Sequence, residues 1–78
     1  MIIFKISECE DFDALGARAN KDYFELHFFL RGRMLHKERW LRGLFNTYHF
    51  KDDMQDLGIN MEIINNILNF YQTYGKRD

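Results

Sequence analysis

The chain has 78 residues, of which 46% are hydrophobic, 17% aromatic and 29% charged. A chain of this length buries only about 60% of its unfolded surface, so we expect residues 1–78 to form one small domain. Its 11 basic and 12 acidic side chains give a net charge of −1. This balance excludes a global field that would draw the protein to nucleic acid or to an anionic membrane.

The cysteine count and the hydropathy pattern restrict the cellular setting. Cys9 is the only cysteine, which excludes an intrachain disulfide and a cysteine-based zinc cluster. No stretch approaches the roughly 20 apolar residues that a membrane span requires. The short apolar N-terminal run is followed at once by acidic residues, unlike a signal peptide. We therefore expect a cytoplasmic protein with no membrane partner.

The first predicted element is a strand, because Ile2, Phe4 and Ile6 alternate with their neighbours. A lone strand would leave its backbone groups unpaired, so it needs a partner. The best partner is the aromatic segment 23–30, whose even-numbered residues are apolar, with a helix over the same segment as the alternative. Between these segments, residues 8–20 have the pattern of one short helix.

A turn is predicted at Arg31–Arg33, with Gly32 at its centre, leading into a third strand. Beyond it, apolar residues recur at spacings of three and four, which predicts a helix from about Glu38 to Tyr48. The residues of this stripe are Trp40, Leu41, Leu44, Phe45 and Tyr48.

The last third of the chain predicts two helices separated by Gly58. The first begins at Asp52 or Asp53 and ends at Leu57, with Gly58 in the left-handed conformation that ends helices. The second is an amphipathic helix over Asn60–Tyr74, with Asn60 as its N-cap. Its apolar arc spans about half of the helical wheel, more than the roughly 100° that one neighbour covers. We therefore expect a further partner on this helix, which includes a possible homodimer.

These elements predict an α+β fold. A small sheet of two or three strands comes from the N-terminal half of the chain, and two to three helices come from the C-terminal half. An all-α fold is the alternative, because residues 23–30 also fit a helical stripe.

Residues 56–68 resemble a helix-turn-helix corner, with Gly58 at the turn and Ile64 and Ile67 at the buried positions of the second helix. The Asp-Leu-Gly-hydrophobic run is similar to that of lambdoid Cro repressors. The helix pair also looks like that of MerR-type regulators and of the related chaperone-modulator family. The resemblance covers residues 50–69, and it implies either a DNA-reading second helix or a helix pair that binds protein.

The charge distribution is uneven along the chain. Residues 31–51 contain six basic and one acidic side chain, whereas the flanking segments 1–30 and 52–78 each have a net charge of −3. A basic segment with an interleaved aromatic ring is typical of a phosphate-contacting or acid-contacting site, and the alternative is a solvated face. The candidate partner- or nucleic-acid-binding residues are Arg31, Arg33, Lys37, Arg39, Trp40 and Arg42 in this segment, with Asn65, Asn66 and Asn69 in the last helix.

No motif in the sequence indicates a catalytic site or a metal site. The spacing of His27, His36 and His49 matches no zinc site, and no nucleophile comes with a base and an orienting acid. We therefore expect no enzymatic activity, no cofactor and no metal. The leading hypothesis is a small regulatory or inhibitory protein, of the kind that phages and mobile elements encode. It would bind another protein through the last helix and the basic segment 31–42.

The alternative hypothesis is a helix-turn-helix-like nucleic-acid-binding regulator that acts as a dimer. In that case the basic segment 31–42 would contact phosphates. Asn65, Asn66 and Asn69 would read bases, because asparagine pairs with adenine through two hydrogen bonds.

Overall fold

The computed structural model describes residues 1–7 and 9–75, with side chains as far as residue 73. Four strands form one antiparallel sheet in chain order: β1 (Ile2–Lys5), β2 (Ala14–Ala19), β3 (Tyr23–Leu30) and β4 (Arg33–Leu41). They are followed by a 3-10 turn (Arg42–Leu44), the helices α1 (Thr47–Asp56) and α2 (Met61–Phe70), and a π-helical turn (Tyr71–Gly75). The predicted α+β class is confirmed, and the sheet has four strands rather than two or three.

The alternation in β3 divides the sheet into two different faces. Phe24, Leu26 and Phe28 are buried beneath the helices, whereas Glu25 and His27 lie on the opposite face. The strand prediction for residues 23–30 is confirmed and the helical alternative is wrong. The period of two prevails because both neighbouring strands pair with this segment, and its alternation turns Phe24, Leu26 and Phe28 toward the core.

β2 corrects two predictions. The expected helix in residues 8–20 is wrong, because Ala14–Ala19 is a strand between β1 and β3. The expected pairing of the first strand with residues 23–30 is wrong for the same reason. Small residues allow this central position: a Cβ on Gly16 would lie 2.6 Å from Met1 Sδ and 3.1 Å from Ile3 Cδ1. Such close approach of neighbouring side chains is a common reason for glycine inside a strand.

The predicted turn between β3 and β4 is confirmed. Arg31 has φ 54° and Gly32 has φ 78°, which is the positive-φ pair of a two-residue type I′ hairpin. The Asp13 carboxylate accepts a hydrogen bond from the Arg31 backbone N–H. This contact supports a left-handed conformation that arginine otherwise adopts rarely.

The predicted helix from Glu38 to Tyr48 is wrong. β4 continues to Leu41, with Trp40 opposite Phe24, and only a 3-10 turn follows. The apolar residues of this stripe do not form one helix face: Leu41, Leu44 and Tyr48 are exposed, while Trp40 and Phe45 pack against the core from a strand and from the segment after the turn. Their rings lie 5.7 Å apart.

Helix α1 begins earlier than predicted. Asn46 is its N-cap, and its side chain accepts hydrogen bonds from the backbone N–H groups of Tyr48 (2.9 Å) and His49 (3.2 Å). The expectation that Asp52 or Asp53 begins this helix is therefore wrong. Asparagine caps the free N–H groups of the first helical turn as well as aspartate does. Asn46 precedes Asp52 and Asp53 in the chain, so the helix begins there.

The predicted corner between the two helices is confirmed. Gly58 has φ 81°, and its N–H bonds to Gln55 O at 2.9 Å while Ile59 N–H bonds to Met54 O at 3.0 Å. These two bonds define a Schellman motif. Asn60 caps α2 as predicted, since its side chain accepts a hydrogen bond from Ile63 N–H at 3.0 Å.

One hydrophobic core lies between the sheet and the helices. Phe24 is its centre, with ring contacts to Trp40, Phe45, Phe50 and Tyr71. Helix α2 contributes three buried residues, Ile64, Ile67 and Leu68. The sheet of the same chain therefore covers the centre of the wide apolar arc on which the homodimer expectation rested. Among the described residues, no helix has the length and apolar character to cross a membrane.

Candidate protein-binding surface

The helices cover one face of the sheet and leave the other without a covering element in the described part of the chain. We call this second surface the open face. It carries the side chains that lie on the same side of the sheet as Glu25 of β3. The strand pairings place Arg18 of β2 and Arg39 of β4 directly opposite Glu25, and Lys37 opposite His27.

Apolar side chains occupy much of the open face. Three of them are about half exposed: Ile3 (50%), Met34 (54%) and Leu41 (49%). Leu35, which is 56% exposed, is the extra residue of a β-bulge between Met34 and His36, where the alternation of β4 is interrupted. The open face therefore exposes apolar surface that the chain does not bury in its own core.

A buried carboxylate organises the polar centre of the open face. Glu25 is 5% exposed. Its Oε2 accepts a hydrogen bond from His27 Nε2 at 3.1 Å, and its Oε1 lies 3.4 Å from Arg39 Nε. Burial raises the pKa of Glu25, but the hydrogen bond from His27 and the positive charges of Arg39 and Lys37 outweigh it, so the pKa is lowered. The ionised carboxylate thereby holds two side chains in place.

Arg39 is held from two directions. Besides its ion pair with Glu25, its guanidinium carbon lies 4.8 Å from the centre of the Tyr23 ring. A guanidinium over an aromatic ring is attracted by the negative charge of the ring face. Arg39 is nevertheless about half exposed. It is therefore positioned before any partner arrives, which lowers the entropy cost of using it in an interface.

The structure brings together only part of the basic segment predicted from the sequence. Lys37 and Arg39 share the open face with Arg18, which the sequence analysis missed because residues 8–20 were predicted to be helical. Arg31 and Arg33 lie at the hairpin turn, at one end of the sheet. Arg42 is half-buried in the 3-10 turn, where its carbonyl accepts a hydrogen bond from the Tyr71 hydroxyl at 3.5 Å.

Trp40 lies on the other side of β4 from Lys37 and Arg39. Its ring is half-buried against Phe24 and Phe50, with ring centres 5.8 and 5.7 Å apart. From the sequence, this ring was expected to lie beside the neighbouring basic residues in one binding site. Alternation along β4 separates them, because successive side chains of a strand point to opposite faces.

The three asparagines of the predicted site are exposed on α2. They are Asn65, Asn66 and Asn69. Because Ile64 and Ile67 of the same helix pack toward the sheet, the asparagines face away from it. The sheet and the helix layer therefore lie between them and Lys37 and Arg39, so the predicted residues form two separate surfaces.

A groove lies between β4 and α1, on the helix side of the sheet. It encloses about 390 Å³. Aromatic rings and carboxylates line it: Phe12, Phe28, His36, Glu38, Trp40, Asp53, Met54, Asp56 and Leu57. The sequence analysis missed this groove, because it predicted a helix where Glu38 and Trp40 belong to a strand. Among the described residues, no group of three or more His, Cys, Asp or Glu side chains has the geometry of a metal site.

Comparison with known proteins identifies no relative of this chain. No family model matches it, and neither does any curated protein or solved structure. The helix-turn-helix resemblance of residues 50–69 therefore stays a prediction.

Proposed function

We propose that this chain is a non-enzymatic protein-binding module that docks through the open face on an acidic, partly apolar surface of another protein. The observation that carries the proposal is the combination of exposed apolar and basic side chains on one uncovered sheet face. Apolar side chains surround the charged centre formed by Arg18, Lys37 and Arg39. Contiguous exposed apolar surface is a mark of protein interaction sites.

The apolar component favours a protein partner over a polyanion. Leu35 and Met34 are more than half exposed, and phosphates give such side chains nothing to pack against. A protein surface offers both apolar contact and carboxylates for Lys37 and Arg39. Arginine and methionine are also enriched at protein interfaces, whereas nucleic-acid interfaces are dominated by positive charge.

The charge of the open face favours a partner different from the chain itself. Two open faces packed together would bring Lys37 and Arg39 of one copy near the same residues of the other, and juxtaposed like charges oppose association. We therefore propose that the protein is a monomer that binds a different protein in the cytoplasm, as small phage-type regulators and inhibitors do.

A second candidate function is nucleic-acid binding by the same basic residues. The observation that favours it is the placement of Arg18, Lys37 and Arg39 on one face, with Arg31 and Arg33 at the end of the same sheet. If the protein bound DNA as a helix-turn-helix protein does, α2 would contact the bases instead, through Asn65, Asn66 and Asn69. These two surfaces face opposite ways, so a single duplex would engage one or the other.

The first experiment captures partners on immobilised protein from a lysate of the organism that encodes it. We expect one protein to be retained in stoichiometric amount by the wild-type chain. A Met34→Ser/Lys37→Gln variant should retain about tenfold less of it, since both side chains lie on the open face and central interface residues carry most of the binding free energy. An Asn65→Ser/Asn66→Ser variant is the matched control, with two changes on the opposite surface, and should retain the same amount.

Two outcomes would contradict the proposal. One is the absence of any stoichiometric partner. The other is a partner whose capture depends on Asn65 and Asn66 and is unchanged by the substitutions at Met34 and Lys37, since that result would move the binding site to α2. Circular dichroism of both variants verifies that each retains the wild-type fold.

A further inference from the structure

β4 is an edge strand whose outer side is accessible. Within the described ranges, β3 is the one strand that pairs with it, and all of its residues except Trp40 are exposed. From His36 to Leu41 the pairing with β3 is regular, so this stretch is straight enough to accept another strand. Its outward backbone N–H and C=O groups form a template of about the length of an average strand.

The charges along this edge disfavour pairing between two copies of the chain. A continuous sheet made from two copies would bring Lys37 and Arg39 of each together, and like charges on facing strands are destabilising. Charged residues and bulges are common protections against such self-pairing. The same charges favour the addition of a strand from another protein whose carboxylates lie on the side of the open face.

The groove lies on the other side of the same strand, and it has the opposite charge. Its lining includes the carboxylates of Glu38, Asp53 and Asp56 and contains no lysine or arginine. Glu38 Oε1 is paired with His36 Nε2 at 2.5 Å. Asp53 and Asp56 are three residues apart on α1, which places them on one side of that helix, above the groove.

Aromatic rings complete the groove. Phe12, Phe28 and Trp40 contribute their rings to its lining, with Phe12 and Phe28 4.9 Å apart between ring centres. Lysine and arginine match such a site, because their aliphatic stems pack on apolar surface while their charged ends reach carboxylates. A cation beside Trp40 is also favoured by the electron-rich face of the indole ring.

The geometry points to β4 as the docking strand for an extended segment of a partner protein, which adds to the sheet as a fifth strand and places a lysine or arginine side chain in the groove. This inference rests on the proposed function, and it names the form and charge pattern of the bound segment. Strand addition supplies main-chain hydrogen bonds for affinity, while pockets for alternate side chains supply specificity.

The two sides of β4 define the pattern of the bound segment. Successive side chains of an added strand point to opposite faces of the sheet. Those on the side of Lys37 and Arg39 meet positive charge, and those on the side of Glu38 meet the acidic groove. We therefore expect the segment to carry acidic residues on one of its two faces and a basic residue on the other.

Trp40 supplies a direct readout, because it is the only tryptophan of the chain and it lines the groove. The probe is a capped octapeptide, Lys-Glu-Val-Val-Lys-Glu-Val-Val, which contains no aromatic residue. A second probe has norleucine in place of both lysines, which keeps an aliphatic stem and removes the cationic end. We expect the lysine peptide to change the Trp40 fluorescence saturably and the norleucine peptide to bind up to about fivefold more weakly, as for the loss of one exposed ion pair.

Two matched double variants test whether the lysine side chain binds in the groove. Asp53→Asn/Asp56→Asn removes two charges from the groove and should weaken the lysine peptide by about fivefold for each charge. Asp52→Asn/Glu62→Gln removes two charges from the same helix layer outside the groove lining, and it should leave the affinity unchanged. All four residues are exposed, so the folded state tolerates both pairs of changes. Hydrogen exchange at residues 36–41 should slow on binding, since the added strand covers their outward amides.

Equal affinity of the two peptides, or equal loss in the two double variants, would overturn the inference. So would saturable binding without slower exchange in β4, because the cation would then occupy the groove without an added strand. These failures are separate from a failure of the proposed function. A partner whose capture depends on Met34 and Lys37 would still support docking on the open face.

Discussion

At the scale of single residues, Glu25 is the least expected feature of the sheet. A glutamate in the middle of a strand is unfavourable on propensity grounds, and this one is buried on a face that no helix covers. It is tolerated because Arg18 and Arg39 face it from the two neighbouring strands and His27 donates a hydrogen bond to it. The carboxylate therefore stabilises the folded state only while it is ionised.

The pH dependence of stability tests this role. The pKa of Glu25 is lower in the folded state than in an unfolded chain, so its contribution to the free energy of unfolding is complete above the ordinary carboxyl pKa of about 4.3. The contribution is lost as the pH falls through the lowered value. We expect Glu25→Gln to cost about 1.5–3 kcal/mol at pH 7, the range for a hydrogen bond to a charged group. The difference from the wild type should shrink towards pH 3.

Urea unfolding at several pH values measures both effects. Glu38→Gln is the control, because Glu38, on β4, also contacts a histidine through its carboxylate but is about half exposed. Its change at pH 7 should stay within about 1 kcal/mol, as for other exposed pairs. A constant difference between the wild type and Glu25→Gln from pH 7 to pH 3 would show that the carboxylate is not held in its ionised form.

At the scale of elements, the corner between α1 and α2 depends on the backbone of Gly58. Its φ of 81° is in the left-handed region, and a Cβ at this position would meet nothing within 4 Å. A substitution therefore acts through backbone conformation alone. We expect Gly58→Ala to lower the free energy of unfolding by about 1–2 kcal/mol, the cost of the left-handed conformation for a residue with a Cβ.

Gly43 is the matched control for this prediction. A Cβ there also meets nothing within 4 Å, and its φ is outside the left-handed region. Gly43→Ala should therefore be neutral or stabilise the protein by up to about 1 kcal/mol, through the reduced freedom of the unfolded chain. Thermal unfolding separates the two variants, since 1 kcal/mol shifts the midpoint by about 4–8 °C in a domain of this size. Equal midpoints would mean that Gly58 is not needed for the corner.

The same elements show what could be predicted from sequence. The helix corner, the Asn60 cap and the turn at Gly32 were predictable, because each depends on a few neighbouring residues and on conformations that glycine and asparagine favour. β2 and the second half of β4 were not predictable. Their pairing depends on β3, which lies elsewhere in the chain, and tertiary contacts override local propensity in such segments.

The candidate site follows the same division. Lys37 and Arg39 were identified from sequence because the basic residues cluster within one segment. Arg18 and the groove were missed, since they are assembled by strand register and by the packing of α1 beside β4. The separation of Trp40 from Lys37 is a consequence of strand alternation, which a helical prediction for residue 40 could not include.

At the scale of the whole molecule, the near-zero net charge conceals two oppositely charged sides. The open face carries Arg18, Lys37 and Arg39 around Glu25. The exposed acidic residues of the helix layer are Asp52, Asp53, Asp56 and Glu62. A protein with this charge distribution approaches a charged partner in a preferred orientation, because electrostatic complementarity acts mainly on the rate and geometry of encounter.

The arrangement limits how strongly the protein can bind a nucleic-acid duplex. The strand pairings place four basic side chains on the open face, Lys5, Arg18, Lys37 and Arg39. They correspond to a log-log salt slope of about −3.6, at about −0.9 for each phosphate contacted. Arg39 is already paired with Glu25, which weakens even this attraction. We therefore expect no measurable binding of a labelled random-sequence duplex at about 200 mM salt and only weak binding at about 50 mM, by fluorescence anisotropy.

The Lys37→Gln/Arg39→Gln variant tests whether any residual binding uses the open face, and it should abolish the weak signal at low salt. A slope near −4.5 would contradict the expectation, because it requires about five phosphate contacts. The structure distributes the five cations of segment 31–42 between the open face, the hairpin turn and the half-buried Arg42. Five contacts would therefore require a duplex that wraps around the end of the sheet, and nucleic-acid binding would then replace protein docking as the function of the basic residues.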